Sequence, residues 1–244
     1  MEREEYARIA AAEDDHWWYQ STRRLTRAFL TPWLRPGMRT LDAGCGPGGN
    51  GTWLTEFGPV IAADLSEDAL RFVRDARTPM RPVRSSVTAL PIANASIDCV
   101  LATTVLYTVP DDGAAVAEFA RVLAPGGVVV LIEPAFATLR RAHDAVVHGR
   151  RRYRTSALAA MLTQNGLQVG RATYAKSFLA PPAFTLGVIE RMRSAPPRSD
   201  LESHGVDSMI DPMFRQLARI EDRWLTRGRR LPFGTSAIVV ATKR

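Results

Sequence analysis

The chain has 244 residues, 46% hydrophobic and 23% charged, which suits one α/β domain with a buried core plus additions. No apolar run is long enough to span a bilayer, and the charged opening Met1-Glu-Arg-Glu-Glu-Tyr6 lacks a signal-peptide core, so a cytoplasmic protein without a membrane span is expected. The net charge of +7 does not argue for nucleic acid, because 30 of the 32 basic residues are Arg, acids are interspersed, and no basic-aromatic stripe appears.

Residues 3–31 read as helical with an interruption near Asp14-Asp15, and they carry the aromatic cluster His16-Trp-Trp-Tyr19. Pro36-Gly37 makes a turn, and a short apolar strand ends at Asp42. Beyond a glycine-rich loop, Trp53, Leu54 and Phe57 have helical spacing, closed by Gly58-Pro59. Val60 to Ala63 is a second strand closed by Asp64, and Ser66 caps a helix with Glu67 and Asp68 in its first turn. Val83 to Val87 and Ile97 to Ala102 give the third and fourth strands. A helix with Val116, Phe119 and Leu123 ends at Pro125-Gly126-Gly127, and Val128 to Ile132 is the fifth strand. This alternation predicts a parallel sheet with right-handed crossovers.

Past Glu133 an Arg-rich segment, Leu139 to Tyr153, precedes a helix from Ser156 to Gln164 and a strand around Leu167 to Tyr174. The final strand is Ser236 to Ala241. Between these last two strands lie about sixty residues with two amphipathic stretches, far more than an antiparallel hairpin needs. We read this insertion as a lid or as an oligomer face through which a homodimer could form. The expected division is a helical cap at 1–35 and a catalytic domain at 36–244, with 134–153 and 180–230 as cap and insertion segments.

Gly44-Cys-Gly46-Pro-Gly-Gly49 fits the dinucleotide pattern, with Asp64 at the ribose-reading distance. That pattern alone does not separate a nicotinamide enzyme from one that binds S-adenosylmethionine. Asp42 does, because a carboxylate two residues before the first glycine attracts the cationic amino end of a bound amino acid and repels a pyrophosphate. Leu41-Asp-Ala-Gly-Cys-Gly-Pro-Gly48 closely resembles the first motif of class I S-adenosylmethionine-dependent methyltransferases. Leu90-Pro91 before Ile97-Asp98, Val109-Pro-Asp111, and Arg121-Val-Leu-Ala-Pro-Gly-Gly127 extend the likeness over roughly residues 37–133.

The resemblance implies a Rossmann-like, seven-stranded, mostly parallel sheet flanked by helices, with an N-terminal helical cap and a helical insertion before the last strand. It implies S-adenosylmethionine as cofactor and S-adenosylhomocysteine as product. Asp42, Gly44, Cys45 and Gly46 should surround the methionine part, Asp64 should accept from the ribose hydroxyls, and Leu65 should pack on the adenine. Ser86 and Val87 should border the adenine edge, with Thr103 or Thr104 near the amino group. Ser86 departs from the family, where Asp is common, which shifts weight onto the Val87 backbone.

His16-Trp-Trp-Tyr19 with Arg23-Arg24 is similar to a signature in a bacterial subgroup of these enzymes, as are His143-Asp144, Arg150-Arg-Arg-Tyr153 and Leu231-Pro-Phe-Gly-Thr-Ser236. Its members accompany glycan, lipid-carrier and secondary-metabolite pathways, which implies a small-molecule acceptor. His16, Trp18, Tyr19, His148 and Arg152 are the candidate acceptor contacts. The aromatic cluster reads equally as a helix packing on the sheet, and Arg150 to Arg152 as a solvated face. Relatives place His where Thr108 stands; Thr cannot act as a base, which leaves His143 first, then His148 or His16, with Tyr107 as an orienting group. No carboxylate cluster for a metal appears outside the cofactor acids. Methyl transfer to oxygen of a natural product, sugar or lipid-linked molecule is the expected reaction. The alternatives are N- or C-methylation, a non-catalytic S-adenosylmethionine-binding module, or a dehydrogenase.

Overall fold

The computed structural model describes residues 1–76, 78–193, 196–197, 199–202 and 211–244; the rest of the expected 180–230 insertion lies outside the described residues. Seven strands form one sheet in the order β3-β2-β1-β4-β5-β7-β6, made of Thr40–Ala43 (β1), Val60–Asp64 (β2), Arg81–Arg84 (β3), Ile97–Thr103 (β4), Leu123–Pro134 (β5), Leu167–Ala175 (β6) and Ser236–Lys243 (β7). The first five pair in parallel, and β7 runs antiparallel between β5 and β6. Every residue of β1 and β4 is buried, as expected of parallel strands covered on both faces. Strand order reverses between β1 and β4, so the chain leaves the sheet in opposite directions at their carboxyl ends and opens the crevice where such folds bind ligands.

The flanking helices are Arg3–Ala12 (α1), Trp17–Leu30 (α2), Glu67–Asp75 (α3), Asp112–Val122 (α4), His143–Val146 (α5), Thr155–Gln164 (α6), Ala180–Met192 (α7) and Asp211–Thr226 (α8). One core holds Phe119 of α4 and Leu158 of α6 against one face of the sheet. The other holds Leu25 of α2, Leu70 of α3 and Leu225 of α8. The Ser66 and Asp111 side chains accept from Ala69 N and Ala114 N, capping α3 and α4. Pro181-Pro182 sit in the first turn of α7, where a missing N–H costs nothing. Asp98, in the matched motifs, binds Arg39 N and Nε at 2.9 Å and lies at the edge opposite the crevice.

Three local expectations need correction. The segment after the glycine loop is a 3-10 turn, Thr52–Glu56, because less than two α-helical turns separate the loop from Gly58. The third strand is Arg81–Arg84 and not Val83 to Val87; Ser85 still donates to Asp64 O at 3.0 Å, but Ser86 folds back to bridge Ala89. Leu123 belongs to β5, paired with Ile97, and does not end the preceding helix. Among the described residues no helix is long and apolar enough to cross a membrane.

Candidate functional site

The glycine loop leaves β1 under constraints that only glycine meets. Gly44 has φ 68°, and a Cβ there would lie 2.3 Å from Val105 Cγ2, so β1 and the loop after β4 approach too closely for any side chain. Gly46 has φ 55°, and a Cβ there would meet nothing within 4 Å, which leaves a backbone cradle open at the crevice. The loop is braced from β2: Gly44 N and Cys45 N donate to Ala63 O, and Gly46 N donates to Asp64 Oδ2 at 3.0 Å. The other Asp64 oxygen accepts from Ser66 N at 2.8 Å. Asp64 therefore holds the loop in place while its remaining lone pairs stay available.

Three carboxylates surround this loop. Asp42 is 1% exposed, and its Oδ2 has no hydrogen-bond partner among the described residues. Burial, with Glu13 and Asp64 nearby, pushes its carboxyl up to about 8. Glu13, from the junction of α1 and α2, accepts from Gly49 N at 2.9 Å and is pushed up to about 7, chiefly by burial. Burial also raises Asp64, against the backbone bonds that lower it. A buried, unpaired carboxylate beside two others calls for a cation. The amides of Gly46 and Gly49 are already donated to carboxylates, and a 3-10 turn rather than an α-helix N-terminus follows, so the features that hold a pyrophosphate are missing here. An adenosylmethionine with a cationic amino end fits these residues.

The residues expected to meet the adenine follow β2 and β3. Leu65, next to Asp64, is 66% exposed despite being apolar. Ser86 Oγ is 2.7 Å from Thr88 Oγ1, and Val87 is buried in the core. At the end of β4 the buried Thr103 Oγ1 has no partner among the described residues. Thr104 sits at φ 52°, a strained value for a β-branched residue, held by its N–H donating to Ile132 O at 2.7 Å. Cys45 is buried, with Sγ on Gly46 O at 3.3 Å.

The cap brings further residues to the crevice, several of them unforeseen. Tyr6 of α1 is buried near Asp64 and Cys45, and burial pushes its phenol up to about 12. Tyr19 of α2 lies near Glu13, Glu5 and Tyr107, Tyr107 of the loop after β4 lies near Glu133, Asp144, Arg152 and Glu5, and burial raises both phenols far enough that they stay protonated. Glu133, at the end of β5, accepts from the backbone N–H groups of Val105, Leu106 and Tyr107 at 3.2, 2.9 and 3.2 Å, which fixes the loop that carries Tyr107. Sequence reasoning passed over Tyr6, Glu13 and Glu133. The first two carry a legible signal, since Tyr6, Ile9 and Glu13 recur at helical spacing on one face.

The remaining expected residues are dispersed. His16 is the N-cap of α2, its Nδ1 accepting from Trp18 N at 3.3 Å. Trp17 packs between Phe178 and Phe214, at ring distances of 5.8 and 5.5 Å. Trp18 lies under the buried Lys176, whose Nζ is 4.7 Å from the ring. His143 Nδ1 accepts from Asp200 N at 3.2 Å, and His148 Nδ1 meets the Met1 amino group at 3.2 Å. Arg152 forms a fork on Asp144 at 2.8 and 2.9 Å and lines, with Phe136, Tyr153 and Arg154, a cavity of about 480 Å³ to which no cofactor residue contributes. Tyr19 thus lies near Glu13 and Tyr107, while Tyr107 lies near Asp144 and Arg152, the ion pair beside His143.

Residues 41–131 match the family described as "Methyltransferase domain". An uncharacterized 37.1 kDa protein in a transposon of Streptomyces fradiae is 38% identical over 107 residues, 41% of this chain and 31% of that protein. A malonyl-[acyl-carrier protein] O-methyltransferase of Pseudescherichia vulneris is 34% identical over 106 residues, 43% of this chain and 42% of the relative. The chain thus spans less than half the length of these two relatives. Among solved structures, an S-adenosylmethionine-dependent methyltransferase from Mesorhizobium loti superposes with TM-score 0.60 at 17% identity, covering 94% of this chain and 99% of that one. The last likeness concerns the fold.

Proposed function

We propose that this protein is an S-adenosylmethionine-dependent methyltransferase acting on a hydroxyl of a small natural product, sugar or lipid-linked molecule. The observation that carries this is the ring of carboxylates on the glycine loop, with Asp42 buried and unpaired, which favours a cationic amino-acid end over a dinucleotide pyrophosphate. The match over residues 41–131 supports it independently. S-adenosylmethionine supplies a methyl group on a cationic sulfur, an electrophile that chiefly needs its acceptor aligned.

In this reading Asp42 pairs with the amino group, Gly46 admits the cofactor against bare backbone, Asp64 takes the ribose hydroxyls, and Leu65 covers the adenine. Tyr19 and Tyr107, kept protonated by burial, donate to the acceptor and orient its oxygen. Glu133 positions Tyr107 through the three amides it binds. Glu5 and Glu13 beside these phenols disfavour an anionic acceptor. His143 is not carried forward as the base: its Nδ1 accepts a backbone N–H, so in the neutral ring Nε2 holds the proton.

Purified protein incubated with methyl-labelled S-adenosylmethionine and cell extract should yield a labelled small molecule, identified by mass spectrometry, and His143→Ala should retain that transfer. Cofactor binding without transfer to any extract fraction would leave a binding module, and preferential binding of NAD would leave a dehydrogenase.

A further inference from the structure

The junction between the cap and the glycine loop brings an acid and a guanidinium to one residue, Gly49. Glu13 accepts from Gly49 N at 2.9 Å, and Arg23 Nη1 approaches Gly49 O at 3.4 Å. A Cβ on Gly49 would lie 2.4 Å from Glu13 Oε2, so the carboxylate rests directly on loop backbone. Glu13 is buried, although it comes from the helical cap and not from the sheet. Opposite it stands Asp42, 1% exposed, with Oδ2 unpartnered.

We propose that Glu13 and Arg23 are cofactor-binding residues by which the N-terminal cap clamps the zwitterionic amino-acid end of the cofactor, Glu13 sharing the ammonium with Asp42 and Arg23 taking the carboxylate. This rests on the cofactor assignment above, and it goes beyond it by giving the cap a ligand of its own. Asp42 covers one side of the ammonium, and Glu13, near Asp42 and on Gly49 N, is the acid from outside the β1 loop that reaches this place. The Arg23 contact to Gly49 O is long, and its other contact, to Asp14 O, is 3.5 Å, so the guanidinium keeps donors for an incoming carboxylate. Cap closure and cofactor loading then become one event, because the clamp is complete only with α1 and α2 seated on the loop.

Proton release follows from the same geometry. The groups around Glu13 are Arg23, Asp14, Asp42, Cys45 and Tyr19, with Asp64 beyond Asp42. Without a cation, burial favours the protonated carboxyls, Glu13 at about 7 and Asp42 at about 8. An ammonium placed between them favours both ionised forms, so binding near neutrality expels a proton into the buffer.

The test compares three ligands by isothermal titration: S-adenosylhomocysteine, which has the zwitterionic end, methylthioadenosine, which lacks it, and decarboxylated S-adenosylmethionine, which keeps only the ammonium. Glu13→Gln preserves an acceptor for Gly49 N and removes the charge. It should weaken S-adenosylhomocysteine and the decarboxylated ligand by about tenfold or more, and leave methylthioadenosine unchanged. Arg23→Gln should weaken S-adenosylhomocysteine alone. The wild-type protein, titrated in buffers of different ionisation enthalpy, should release on the order of one proton with S-adenosylhomocysteine and none with methylthioadenosine, a measurement that needs no variant to fold. Equal weakening of all three ligands by Glu13→Gln, or no ligand-specific proton release, overturns the clamp. Failure of the wild-type protein to bind any of the three overturns the cofactor assignment itself.

Discussion

Residues 40–133 place their functional atoms by strand ends, whereas α1, α2 and α8 place theirs by side-chain bonds between residues remote in sequence. In the first region Gly44, Asp64 and Thr103 are where they are because β1, β2 and β4 end side by side. In the second, Ser21 Oγ donates to Asp222 across 201 residues at 2.8 Å, Arg24 Nε joins it at 2.8 Å, and Ser199 Oγ reaches Glu5 across 194 residues. The lesson is a division of labour. A strand-end site is rigid and admits few substitutions, while a cap held by ion pairs can be retuned without disturbing the sheet.

The sharpest way to break the comparison is at the rigid end. Gly46→Val puts a β-branched side chain at φ 55° and fills the open cradle, so cofactor binding by calorimetry should disappear. Undiminished affinity in a folded variant would place the cofactor elsewhere. Next is the anchor of the cap. Asp222→Ala removes the shared partner of Ser21 and Arg24 and leaves Lys176 buried with less counter-charge, which should cost roughly 3 kcal/mol by denaturant titration. Methyl transfer and S-adenosylhomocysteine affinity should both fall, because Tyr19 and Arg23 ride on the same helix.

A smaller effect is expected from Asp64→Ala. Losing charge-assisted bonds to ribose should weaken binding by about 1.5–3 kcal/mol, part of it through the loosened Gly46 amide. An affinity within a few tenths of the wild type would mean that Asp64 serves only the loop. A pH trend tests the buried acids without any substitution. Asp42, Glu13 and Glu133 titrate near 8, 7 and 8, above ordinary carboxyl values, so their protonated forms favour the folded state. Their contribution is full below ordinary carboxyl values and is lost as pH rises through the values above, so Tm of the ligand-free protein should drop clearly between about pH 6 and pH 8.5. S-adenosylhomocysteine should flatten the slope; a Tm that rises over this window would contradict the buried acids.

The same division decides what was legible in the sequence. Asp42, the glycines and Asp64 stand at strand ends marked by apolar runs, and periodicity placed β1, β2, β4 and β6 within a residue or two. β3 slid by two residues because Pro82 and exposed arginines blur its pattern. The partners of Arg152, His143 and His148 were illegible because each is met by chain folding and not by spacing: Asp144, Asp200 N and the Met1 amino group. Glu133 reads in sequence as the polar end of a strand. Only the three-dimensional course of residues 105–107 turns it into a receptor for three amides.

The place of β7 has a consequence for assembly during synthesis. It follows β6 in sequence, yet it lies between β5 and β6 in the sheet, and β6 has no other neighbour. Until residues 236–243 leave the ribosome, β5 exposes an apolar edge and β6 has no strand to pair with. Synthesis at about 5–20 residues per second makes this a wait of several seconds, with an open parallel-sheet edge exposed to other chains. The β1–β5 half can form early, but β6 joins the sheet only after β7 has been made. The β5 edge is therefore the place where a partly made chain is most open to pairing with another.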